Sequence, residues 1–216
     1  MVAALLIRTE WAQNFLVKQA TVRLSKSLNT QISIKSVRLS LFNRLYMEGT
    51  LVKDRNQDTL LYAGAVKVSI TDWFFLKNEA ELHYIGLDKA VINLNRNDSV
   101  WNYQFLVDYF SGGKKDTTKG GIALSLKQVE LSNVRIIQKD SWIGQDMTVS
   151  LSYMNLDADE INFDKKKIFI NTLELTDPYF AILDYEGKKP TNPITPKPKK
   201  PIAGELRWNT DDWDIL

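Results

Sequence analysis

The sequence predicts a mainly β protein: an elongated sheet built from stacked repeats, with one amphipathic helix at its N-terminus. Three observations lead there. Apolar residues fall at every second position from Ile32 to Arg96 and again from Ile122 to Ile182. A four-residue apolar spacing is confined to the segment before Asn29. A strand-like phrase returns at a step of 44 residues. Side chains alternate across a strand, so period two marks one buried face, whereas the longer period marks a helical stripe.

The helix is read over residues 4–28. Ala12, Leu16, Ala20, Leu24 and Leu28 form the stripe, with Trp11 and Phe15 beside it and Lys18, Arg23 and Lys26 interleaved. Asn29 is the expected stop. Such a helix suits two roles, capping the open end of a sheet or lying on a membrane surface. Trp11, Phe15 and Leu16 are the membrane-proximal candidates.

Residues 31–110 form the first β unit. Leu60, Tyr62, Gly64, Val66, Val68 and Ile70 are assigned to one face, and Ala90, Ile92 and Leu94 resume it after Trp73-Phe74-Phe75-Leu76. The aromatic run from Asp98 to Phe110 reads as a short helix or turn over a sheet edge. Residues 111–121 have the glycine-rich composition of a surface loop. Alternation returns over 122–186, and 187–202 is a Pro/Lys-rich solvated loop. Residues 203–216 read as the start of another strand. The first seven residues are apolar and precede Arg8. They are too few to cross a bilayer, which takes about 20, and a signal peptide carries its bases before the apolar run. Two readings stand, a helix start packed on the body or the tail of a transmembrane helix. The expected organisation is a fragment of a longer chain.

The repeat is explicit. Ile85-Gly-Leu87-Asp-Lys-Ala90-Val-Ile92 aligns with Val129-Glu-Leu131-Ser-Asn-Val134-Arg-Ile136, and both align with Leu173-Glu-Leu175-Thr-Asp-Pro178-Tyr-Phe180. Each copy is an apolar pair, a two-residue polar step and a second alternating run. The expected geometry is strand, bulge or corner, strand, added once per repeat.

Composition narrows the function. Basic and acidic residues number 28 and 26, for a net charge of +2. That balance and the scatter of the bases argue against a nucleic-acid partner. The chain has no cysteine and one histidine, His83, which removes thiolate chemistry and paired-histidine metal sites. Gly112-Gly113 and Gly120-Gly121 lack the strand-to-helix setting of a phosphate loop. Asp54-Arg-Asn56-Gln-Asp58 opens like a calcium loop but has Thr59 where glycine is needed. Asp157, Asp159, Glu160, Asp211 and Asp212 read as turn carboxylates. Neither an enzyme nor a cofactor is expected.

The order of apolar N-terminal segment, amphipathic helix, Ile32-Ser-Ile-Lys-Ser-Val37, Leu45-Tyr-Met-Glu-Gly49-Thr-Leu51 and Asp58-Thr-Leu60-Leu-Tyr62-Ala63-Gly64 resembles the N-terminal region of AsmA-like proteins. It looks most like the Bacteroidetes-type translocation and assembly module TamB; Asp72-Trp73-Phe74-Phe75 and Ser99-Val100-Trp101-Asn102-Tyr103 add to the likeness. The likeness covers about residues 1–186. It implies an inner-membrane anchor, a periplasmic location and a curved, taco-like antiparallel β-groove with an apolar interior. It also implies a role in carrying phospholipid toward the outer membrane. The partners implied are phospholipid acyl chains, the inner membrane and an outer-membrane barrel protein of the TamA type. The groove lining expected on this view is Tyr62, Val66, Val68, Ile70, Ile92, Leu94, Leu131, Ile136, Phe180 and Ile182. Two alternatives remain open: a scaffold for outer-membrane protein assembly, and a carbohydrate-binding or adhesive β domain presenting Trp101, Trp142 and Trp208.

Overall fold

The structure, a computed structural model, describes residues 10–39, 44–70, 80–112, 122–162, 167–190 and 214–215. Helix α1 (Glu10–Leu28) ends as Asn29 turns to φ 47°. The Thr30 amide donates to the Ser25 carbonyl at 3.1 Å and the Asn29 amide to the Lys26 carbonyl at 3.3 Å. These are the two bonds of a left-handed helix stop, a conformation asparagine tolerates. The stop feeds directly into the sheet, where the Thr30 hydroxyl donates to the Lys53 carbonyl at 2.7 Å.

The strands are β1 (Ile32–Ser33), β2 (Ser36–Leu39), β3 (Arg44–Lys53), β4 (Thr59–Ile70), β5 (Ala80–Arg96), β6 (Ile122–Asp140), β7 (Gln145–Asn162), β8 (Lys167–Thr176), β9 (Tyr179–Asp184) and β10 (Asp214–Ile215). Among the described residues they form one open ten-stranded sheet in the order β1-β3-β4-β5-β6-β7-β8-β10, with β2 also on β3 and β9 also on β7. The expected β sheet with its N-terminal helix is therefore present. Most neighbours are antiparallel. The long β5–β6 pair is parallel, as is the short β8–β10 pair. Period-two alternation carries no information about strand direction, which is why sequence reading did not separate the two cases.

A parallel pair requires a long crossover. The connection from β5 to β6 includes α2 (Gln104–Gly112). The aromatic run expected to form a helix or turn does so. Phe105 of α2 is buried in the core, and the Arg55 guanidinium lies 4.9 Å from its ring centre. Asn102 ties the crossover to the sheet, its side-chain amide donating to Asp54 Oδ2 and to the Asn93 carbonyl, both at 3.1 Å.

Two buried aspartates close the hairpins. Asp54 Oδ1 accepts the amides of Asn56 at 2.9 Å and Asp58 at 3.0 Å in the β3–β4 turn. The segment that opens like a calcium loop thus turns its first carboxylate inward to hold its own turn. Asp140 does the same between β6 and β7, accepting the amides of Trp142 and Ile143 at 3.2 Å. Its carboxylate also takes a two-pronged contact from Arg96, the residue opposite it in the parallel pair. Burial opposes ionisation of Asp140. The Arg96 guanidinium and the Ile143 and Trp142 amides outweigh it, and the carboxyl is held below its ordinary range.

A line of unusual backbone crosses the sheet. Gly49, Lys89, Asn133 and Asp177 all have positive φ, between 50° and 57°. They occupy one row, with Gly64 and Ser152 on the strands between them, as the registers on either side require. The four left-handed residues lie on β3, β5, β6 and the β8–β9 junction, which all run in one direction. The last three are the polar steps of the 44-residue repeat. The expected corner is real and continues from copy to copy. At Asp177-Pro178 proline removes a backbone donor and the strand breaks into β8 and β9, yet the register against β7 is unchanged on both sides.

Candidate functional site

Directly opposed residues share a sheet face, so the registers define which apolar side chains meet. Val37, Met47, Val66, Leu87, Leu131, Met154 and Leu175 form one row across the strands. Leu45, Val68, Ile85, Val129, Leu156 and Leu173 form the next. Beyond the left-handed line, Val52, Leu61, Ile92, Ile136, Val149 and Phe180 make a third. The three rows belong to one apolar face, because the corner changes the parity of the inward positions on every strand at the same place. In β5 the inward set is Ile85 and Leu87 before the corner, then Ala90, Ile92 and Leu94 after it.

This face is covered at one end and open at the other. Around β2 to β6 it is core: Val66 is 5% exposed and Leu131 8%. Val17, Leu24 and Leu28 of α1 and Phe105, Leu106 and Tyr109 of α2 belong to the same cluster. At the far end the rows run out into solvent, with Leu175 43%, Phe180 60% and Ile182 63% exposed. A contiguous apolar surface left in water is costly, at about 25 cal/mol per Å², and usually marks a contact site.

The lining residues expected from the sequence divide accordingly. Val66, Val68, Ile92, Leu94, Leu131, Ile136, Phe180 and Ile182 fall on the apolar face. Tyr62 does not: it pairs with Val91 on the opposite face and is 46% exposed. Single-period reading carried Tyr62 through to Val66 and Val68, whereas the corner at Gly64 reverses the faces between them. Leu60, grouped with it, is the extra residue of a bulge between Val52 and Lys53 of β3 and is buried. Ile70 pairs with Leu82, and its side chain lies outside the described residues. Leu173, Leu175 and Met154, which the expected lining omits, extend the rows, and the third repeat copy was the signal for the first two. Trp11, Phe15 and Leu16 lie on α1, where Phe15 is 50% exposed. The side chains of Trp11 and Leu16 lie outside the described residues, as do residues 113–121 and 191–213. Among the described residues no helix is long and apolar enough to cross a membrane.

Trp142 is half-buried, and so is Trp101. Trp101 stacks on Tyr103 at 5.4 Å and carries the Arg96 guanidinium over its ring at 4.6 Å; Trp208 is outside the described residues. Among the described residues no group of three or more His, Asp or Glu side chains is arranged to hold a metal. No protein-family model matches the chain, and a search of curated proteins finds no significant match.

Proposed function

We infer that the chain is part of a cell-envelope protein that carries phospholipid acyl chains along an apolar trough. The observation supporting this reading is the alignment of apolar residues, strand after strand, into rows that end uncovered at Leu173, Leu175, Phe180 and Ile182. An acyl chain on such a surface gains about 0.8 kcal/mol per buried methylene. The gain is non-directional, so the chain can slide without being pinned by polar groups. On this reading the protein is TamB-like or AsmA-like, held at the inner membrane by its N-terminal segment, with α1 close to the membrane and the sheet in the periplasm. It performs no chemical step and needs no cofactor.

Neighbouring residues on β8 provide the test. Leu175 ends a row of the apolar face, whereas Glu174 belongs to the polar row of Glu130 and Asn155. A photoreactive residue at 175 is expected to label with phospholipid several-fold more than one at 174. Equal labelling at the two positions overturns the reading.

A second reading, a scaffold for outer-membrane protein assembly, has one observation in its favour. From Phe169 to Thr176, β8 has a partner on one side only among the described residues. Such an edge can accept an incoming strand. This reading predicts co-purification with a barrel protein and indifference to the Leu175 substitution in lipid labelling.

A further inference from the structure

The face opposite the apolar rows carries a recess with a different chemistry. Arg38, Tyr46, Lys67, Gly86 and Glu130 form a row across β2 to β6. Gly86 stands between Lys67 and Glu130. The Tyr84 side chain occupies the space that Gly86 leaves, since a Cβ on Gly86 would stand 2.6 Å from the Tyr84 hydroxyl. From there the hydroxyl donates to Glu130 Oε2 at 3.2 Å. Lys67 Nζ stands 3.7 Å from Glu130 Oε1, and the Lys67 side chain is half exposed. The Arg38 guanidinium lies 4.7 Å from the centre of the Tyr46 ring and pairs with Glu48. Arg44 adds a third cation to the lining of a hollow of about 680 Å³.

We propose that this recess binds a small phosphate-bearing ligand, with Lys67 and Arg44 as the phosphate contacts and Glu130 as their resting counter-ion. Three cations line the hollow against one carboxylate, so it carries surplus positive charge even with Glu48 counted against Arg38. The Lys67–Glu130 contact is loose and half in water, where an ion pair is worth little, so the ammonium is free to turn to a better anion. A phosphate monoester carries more negative charge than a carboxylate and has three acceptor oxygens. The hollow is larger than a bare ion needs, and Tyr84, Ser69 and Gln128 line it with groups suited to hydroxyls. The ligand is therefore phosphate on a small polar body. The site is independent of the acyl-chain reading, because it uses the other face of the sheet.

The phosphate group can come from a soluble ester or from a lipid headgroup, and calorimetric titration separates these sources. The probes are sn-glycerol 3-phosphate, glycerol, and dihexanoyl phosphatidic acid, a lipid phosphate monoester, below its micelle concentration. Saturable binding of either phosphate probe, absent for glycerol, is expected for the wild-type chain. Lys67→Ala and Arg44→Ala are expected to weaken it at least tenfold, and Glu130→Gln to tighten it several-fold. The tightening cannot arise from a damaged fold, and circular dichroism checks the two alanine variants. Binding of glycerol phosphate identifies soluble esters as sufficient; binding of the lipid alone identifies a headgroup. Binding of neither probe, or binding that ignores all three substitutions, overturns the proposal.

Discussion

Leu87 lies directly across the parallel β5–β6 pair from Leu131, its counterpart 44 residues later in the repeat. The same offset sets Ile85 against Val129, Ala90 against Val134 and Arg96 against Asp140. Two repeat copies thus stack residue on residue, and their polar steps meet in one line. Like residues meet like in such a stack, so an apolar position in one copy extends the apolar row of the next. The third copy, β8 with β9, joins through the antiparallel β7, which supplies Met154 between Leu131 and Leu175.

Covered and open parts of the rows should respond differently to truncation. Leu131→Ala leaves a cavity in a filled core and is expected to cost about 2–5 kcal/mol. Leu175→Ala, in the same row but 43% exposed, is expected to cost under about 0.5 kcal/mol. Urea unfolding of the two variants reads the difference. Similar costs would mean that the far end of the face is covered in solution.

The left-handed line is sensitive to side-chain shape. Gly49 has φ 57°, and a Cβ there would stand 2.9 Å from Lys35 Cβ. Gly49→Ala is therefore expected to destabilise by at least about 1 kcal/mol. At Asn133, φ 53°, a β-branched valine should cost about 2 kcal/mol, while glycine should leave stability within about 0.5 kcal/mol of wild type. Denaturation midpoints for Asn133→Val and Asn133→Gly check the ordering.

The Arg96–Asp140 pair makes stability depend on acid. The Asp140 carboxyl titrates lower in the folded chain than in the unfolded one. Its contribution is complete above the ordinary carboxylate range and is lost as pH falls through that range toward the depressed folded value. Asp140→Asn is expected to lower stability by about 3 kcal/mol at neutral pH, because Arg96 is left partly buried without its partner. The variant should also lose less stability than wild type when the pH is lowered. Unfolding curves at neutral and acid pH for both proteins measure this.

Tyr84 gives the opposite sign at high pH. Burial, then the Glu130 charge and hydrogen bond, push its phenol up from 10.0 to about 12. The stabilisation it contributes is present below pH 10.0, where both states hold the proton, and is lost as pH rises toward 12. Glu130→Gln removes two of the causes and should lower the Tyr84 transition. Ultraviolet titration of phenolate absorbance, with Tyr84→Phe to assign the step, follows it.

Much of the fold was legible because its signals are local. The stripe from Ala12 to Leu28 predicted α1, and Asn29 ended it. Alternation exposes the strands, and the step at Asp88-Lys89, Ser132-Asn133 and Thr176-Asp177 marks the corner. The apolar face was legible as a list of positions, and eight of its ten expected residues lie on it. Tyr62 was misplaced because a left-handed residue on β5 changes the parity of its neighbour β4 as well, and that effect passes between strands rather than along one. The polar recess was not legible at all. Arg38, Lys67, Gly86 and Glu130 are scattered over 93 positions of sequence, and only strand pairing brings them into one row.

By itself the sequence determined the strand content, the N-terminal helix, the repeat and its corner, since each depends on residues near one another in the chain. The tertiary structure decided that β5 and β6 run parallel, which rows the apolar residues join, and where the helices leave that face uncovered. Those outcomes depend on register and covering between distant segments. Alternation is the same for either strand direction and either face, so hydrogen bonding and burial had to choose.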